Sequence, residues 1–147
     1  LGMKILVGNL PNRQHAGRLS LEELLPQVDV LTLHCPLNDS TKDLIAEKEL
    51  ALMKPTAFLI NTARGGIVNE AALAHALQHG KLAGAATDVL SVEPPKQGNV
   101  LLDTKIPNLI ITPHSAWGSV QARQRIVQQL TENAQCFISG KIIRQVN

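Results

Sequence analysis

An excess of charge of either sign is the first thing this sequence lacks. Fourteen Lys and Arg against twelve Asp and Glu leave a net charge of +2, with acids and bases interspersed. Neither nucleic acid nor a membrane surface is therefore indicated as the main partner, because both recruit proteins through concentrated positive charge. Cysteine is scarce. Cys35 and Cys136 stand far apart, with no CxxC and no Cys/His cluster at metal-ligand spacing. That sets aside a disulfide framework and a metal site, and it fits two reduced thiols in the cytosol. No apolar run approaches the length of a membrane span and no signal-peptide pattern opens the sequence, so the expected location is the cytoplasm. Internal repeats and low-complexity tracts are absent as well.

What is present is enough apolar material for a core: 44% of 147 residues, a length suited to one domain. Strand-length apolar runs recur at Lys4 to Gly8, Val28 to His34, Ala57 to Thr62, Gly84 to Leu90 and Asn108 to Pro113. Most are nearly continuous in hydrophobicity, the pattern of strands covered on both faces. Helical patterns lie between them. Ser20 and Glu23 form a capping box, Glu47 to Met53 stops before Pro55, and Asn69 can cap a helix that Gly80 ends. A last helix from about Val120 to Ser139 carries Val127, Leu130, Ala134, Phe137 and Ile138 on one stripe. Alternating strands and helices predict an α/β fold, a doubly wound parallel sheet of Rossmann-like type. Ligands bind such sheets outside the carboxyl ends of the strands.

The chemistry-bearing residues stand there. Successive strand ends run into His34-Cys35-Pro36, Asn61-Thr62-Ala63-Arg64-Gly65-Gly66, Thr87-Asp88 followed by Ser91-Val92-Glu93-Pro94, and Pro113-His114-Ser115-Ala116-Trp117. Each has an ordinary reading alone: Arg64 as a solvated charge, Asp88 as a turn residue, Glu93 as part of a stiff loop, His114 as a structural histidine. Gathered at one sheet edge, they favour a site. Hydride transfer to a 2-oxo acid needs a proton donor for the developing alkoxide, a carboxylate that orients it, and a cation that does not titrate. His114, Glu93 and Arg64 supply those three roles, and nicotinamide is the usual hydride source.

The runs HCPLNDST (His34 to Thr41), ELALMKPTAFLINTARGGIVNEAAL (Glu49 to Leu73), HGKLAGAATDVLSVEPP (His79 to Pro95) and NLIITPHSAW (Asn108 to Trp117) resemble, in order, those of the D-isomer-specific 2-hydroxyacid dehydrogenases. They cover most of the chain, and the glycerate dehydrogenase and hydroxypyruvate reductase types are the most similar. The resemblance implies Arg64, Glu93 and His114 as the catalytic set, acting on a small 2-oxo acid such as hydroxypyruvate or glyoxylate. It implies cofactor contacts from His34, Cys35, Pro36, Thr41, Thr62, Ala63, Arg64, Asp88, His114, Ala116 and Trp117. A homodimer is implied for the full-length protein. Some relatives are dinucleotide-binding co-repressors, which stands as the alternative.

Two departures from the family pattern follow. Its GxGxxG phosphate loop does not occur here and would precede Leu1, as would the substrate domain. The expectation is that residues 1–147 are the C-terminal part of a NAD(P)-binding domain, inactive in isolation. The acidic residue that usually holds the ribose 2′-hydroxyl of NAD is also missing from Val7-Gly8-Asn9-Leu10-Pro11-Asn12-Arg13. With Arg13 nearby, the cofactor can be NAD or NADP.

Overall fold

Four short parallel strands form one sheet in the order of the sequence: β1 (Val30–Leu33), β2 (Phe58–Asn61), β3 (Gly84–Thr87) and β4 (Leu109–Ile111). The computed structural model describes residues 2–145. Helix α1 (Leu21–Leu24) precedes β1, and α2 (Glu47–Leu52), α3 (Glu70–Gln78) and a 3-10 turn at Val100–Leu102 fill the three connections between strands. The chain divides into two units, Leu1–His114 and Ser115–Asn147. The second contains α4 (Val120–Ile138).

The helix ends follow their local chemistry. At α1 the Ser20 hydroxyl accepts from the Glu23 amide at 3.2 Å while the Glu23 carboxylate accepts from the Ser20 amide at 2.9 Å. The bonds that the Ser20 amide and then the Ser20 hydroxyl donate to the carboxylate lower the Glu23 pKa. Asn69 caps α3, its side-chain oxygen accepting from the Ala72 amide at 2.9 Å.

The sheet advances in one direction, and right-handed crossovers then place successive helices on the same face. Leu31, Leu59, Ala85 and Leu109 align across the strands. Leu31 and Leu59 join Leu24 and Leu25 before β1, Leu50 of α2, and Leu73 and Leu77 of α3 in one buried cluster. On the opposite face Val30, Phe58 and Ile110 are exposed. Near-continuous apolar strands predicted cover on both faces; in this structure α1 to α3 supply it on one.

The run Lys4 to Gly8 differs from its predicted strand. It forms a single bridge, Gly8 to Leu19, with the Asn9 amide donating to the Leu19 carbonyl at 2.7 Å. A strand persists through its ladder, and among the described residues this segment has no neighbouring strand to complete one. Ile5 is accordingly 83% exposed. Within the second unit, Leu130, Phe137 and Ile138 of the stripe on α4 are exposed. Among the described residues no helix is long and apolar enough to cross a membrane.

Candidate active site

Register builds the site. Leu33, Asn61, Thr87 and Ile111 form the last row across the sheet, and the segments leaving it carry the polar groups. Asn61 and Thr87 are buried. The Asn61 side chain accepts from the Ala63 amide at 3.1 Å and donates to the Arg64 carbonyl at 3.0 Å, which closes the turn that presents Arg64. The exposed Arg64 guanidinium donates to the Ala63 carbonyl at 2.7 Å. Gly66 follows at φ +82°, in the left-handed region open to glycine. Gly65 answers a different need: a Cβ there would lie 1.8 Å from the Leu90 carbonyl oxygen, so this turn packs backbone to backbone on the next strand-end loop.

That next loop carries Glu93. One carboxylate oxygen accepts from the Leu90 amide at 2.7 Å, and the other meets His114 Nδ1 at 2.6 Å. An ionised carboxylate accepts and does not donate, so Nδ1 carries the proton in this contact. The hydrogen bond from His114, then that from Leu90, hold the Glu93 pKa below its ordinary value; burial and the Asp88 charge partly oppose them. His114 itself adopts φ +51°. Non-glycine residues in that region cost about 1–3 kcal/mol and persist where the surroundings impose them, often at functional sites.

The other candidates fall into three groups. Asp88 is buried beside the last row, where it accepts from the Thr112 hydroxyl at 2.5 Å. In the His34 to Thr41 loop, His34 Nε2 lies 3.0 Å from the Thr32 hydroxyl. Cys35 is half-buried, and burial raises its pKa. Pro36 is exposed, and its carbonyl accepts from the Thr41 hydroxyl at 2.7 Å. Thr41 is fully buried, so its side chain fastens this loop internally and offers no free surface to a ligand. Thr62 is exposed and Ala63 half-buried. Ala116 and Trp117 belong to the second unit, both exposed, in a turn closed by the Gly118 amide on the Ser115 carbonyl at 2.8 Å.

The ends of this parallel sheet's strands lead into the segments that carry Arg64, Glu93 and His114. Residues 1–116 match the family described as D-isomer specific 2-hydroxyacid dehydrogenase, NAD binding domain. The chain belongs to this family. It is 50% identical over 141 residues to a glycerate dehydrogenase of Methylorubrum extorquens, an alignment covering 96% of this chain and 44% of that protein. The NAD complex of a D-isomer specific 2-hydroxyacid dehydrogenase from Lactobacillus delbrueckii ssp. bulgaricus superposes with a TM-score of 0.74 at 37% identity, covering 88% of this chain and 43% of that one. An acyclic imino acid reductase in complex with NADPH and D-Arg superposes at 0.80 with 33% identity, covering 97% of this chain and 46% of that one. The chain thus spans about half the length of the relatives it matches.

A NAD-binding domain of this family holds a dinucleotide, and the strand-end loops offer it a recess. A recess of about 330 Å³ opens where the His34 to Thr41 loop faces the Leu10 to Arg13 turn, lined by Pro11, Asn12, Arg13, Asn38, Asp39 and Ser40. Its polar groups suit a ribose, with Arg13 able to meet a phosphate and Asp39 a hydroxyl. The loop is braced against the Arg64 turn: the Asp43 amide donates to the Gly66 carbonyl at 2.8 Å and the Ile45 amide to the Ile67 carbonyl at 3.1 Å.

The residues that brace this candidate site were not singled out from the sequence. Asn61 carried a readable signal, a polar side chain ending an apolar strand. Thr112, Ser91 and Asn99 carried none, because their partners lie 21 to 29 residues away in the chain.

Proposed function

We propose that the protein carrying this domain reduces a small 2-oxo acid, such as hydroxypyruvate or glyoxylate, to the D-2-hydroxy acid with NADH or NADPH. The observation that carries the reading is the 2.6 Å contact between His114 Nδ1 and Glu93. It fixes the ring orientation, and in the reaction the ring hands a proton from Nε2 to the substrate carbonyl oxygen. The bound nicotinamide supplies the hydride to the carbonyl carbon. As Nε2 gives up its proton, the ring becomes neutral and keeps its Nδ1 hydrogen on Glu93. Arg64, exposed at a neighbouring strand end, pairs its planar guanidinium with the substrate carboxylate. His34, Cys35, Pro36, Thr62, Ala63, Asp88, Ala116 and Trp117 contribute the cofactor side, and Thr41 does so by holding its loop in shape. The name of the Methylorubrum relative, a glycerate dehydrogenase, supports glycerate as the hydroxy acid. A cytoplasmic homodimer completes the proposal, and two free cysteines suit that reducing compartment.

The test uses the full-length protein. His114→Ala should lower kcat on hydroxypyruvate on the order of a hundredfold or more. Arg64→Ala should raise KM as well. A parent that binds NADH or NADPH yet turns over no member of a 2-oxo acid panel refutes the reading.

A further inference from the structure

Glu70 opens α3 directly after its Asn69 cap. A carboxylate in that place ordinarily complements the positive end of the helix and needs no other partner. Here it has three. The Ser91 amide donates to one oxygen at 2.7 Å, and the Ser91 hydroxyl and the Asn99 amide group donate to the other at 2.7 and 2.8 Å. Hydrogen bonds to an ionised carboxylate are the strong kind. All three come from the loop that carries Glu93.

Around Glu93 that loop stands open to solvent. Ser91, Val92, Glu93 and Pro94 are exposed, and Val92 contributes no buried side chain. Two contacts hold the Glu93 carboxylate: the Leu90 amide on one oxygen and His114 on the other. Ser91 is the residue between Leu90 and the Val92–Glu93 pair, so holding Ser91 fixes where the Glu93 carboxylate points. Gly65 presses on the same Leu90–Ser91 peptide from the Arg64 turn. The carboxylate and the glycine are independent observations, and both fasten one short stretch of backbone.

We propose that Glu70 is a positioning residue: by clamping Ser91 it aims Glu93 at His114 and locks the Arg64 turn and the Glu93 loop into one rigid unit on the start of α3. The inference rests on His114 and Glu93 being the proton-handling pair. It makes Glu70 act entirely through Ser91, without touching substrate or cofactor. Misplacing a catalytic group by about 1 Å can cost on the order of a hundredfold in rate, which is the scale on which such a clamp matters.

The test reads geometry first, so it fails separately from the turnover assay of His114. In labelled 147-residue chain, NMR follows the low-field proton on His114 Nδ1 and the pH titration of the Glu93 side-chain carbonyl carbon. In Glu70→Ala the His114 proton should broaden or vanish, and the Glu93 midpoint should move up toward the ordinary carboxylate value. Leu50→Ala, which removes a buried side chain of α2 outside this loop, should leave both signals in place although it lowers stability. If Glu70→Ala does not fold, Ser91→Ala and Glu70→Gln, which each keep part of the clamp, are read in the same way. In the full-length protein Glu70→Ala should lower kcat on the order of tenfold to a hundredfold with KM within about twofold. Both NMR signals unchanged in the clamp variants, or an unchanged kcat, overturns the proposal.

Discussion

Replacing Gly65 by alanine is the smallest change that tests how the two loops meet. The added Cβ would stand 1.8 Å from the Leu90 carbonyl oxygen, 2.1 Å from the Leu90 carbonyl carbon and 2.6 Å from the Ser91 nitrogen. All three are backbone atoms, so no flexible side chain can swing aside. Restoring even a 3.0 Å separation from that oxygen needs a shift of about 1.2 Å. The Leu90–Ser91 peptide resists it, because the Leu90 amide is bonded to Glu93 and Ser91 to Glu70. Overpacking of this kind costs about 1–3 kcal/mol, and breaking a charge-assisted bond adds to it. The expected loss in urea unfolding of the 147-residue chain is therefore at least about 2 kcal/mol. Gly80→Ala is the control: Gly80 sits at φ +64° with nothing within 4 Å of the point where the new methyl would stand. It should lose about 1 kcal/mol from backbone strain alone. A Gly65→Ala chain no less stable than Gly80→Ala would mean that the loops do not touch as described.

Two more outcomes follow from the same contacts. The lowered pKa of Glu93 implies stability that is present above the ordinary carboxylate value of 4.5 and is lost as pH falls through the depressed folded-state value. Glu93→Gln should flatten that acid limb in unfolding free energies measured at successive pH values; an unaltered slope would remove the contact with His114 as its source. Leu59→Ala, at a fully buried centre of β2, should cost about 2–5 kcal/mol, whereas Phe58→Ser on the open face should cost less than about 1 kcal/mol. Equal losses by urea titration would contradict the one-sided cover of the sheet.

Four of the five strand-length runs contain a strand, and the capped starts of α1 and α3 fall at Ser20 and Asn69 as read. These features are legible because they depend on neighbours in the chain: an apolar run, a hydroxyl or amide three residues before a free amide. The candidate site was legible in part for a related reason. The topology of a parallel sheet sends every strand end to one edge, so Arg64, Glu93 and His114 could be gathered there from order alone. The run from Lys4 to Gly8 was misread because apolar composition does not say whether a partner strand is present to complete a ladder. For Thr41, read as a cleft residue, only the folded chain shows that its hydroxyl donates to the Pro36 carbonyl.

The sequence by itself determined the alternation of elements, the residues at each strand end and membership in a dehydrogenase family, since all three are carried by local pattern and order. Tertiary structure alone decided which face of the sheet is covered, that Gly65 lies against Leu90, and that Glu70 reaches Ser91 and Asn99. Those facts depend on atoms 21 to 29 residues apart meeting within hydrogen-bond range. Chain spacing does not encode such meetings until the strands have set the distances between their loops.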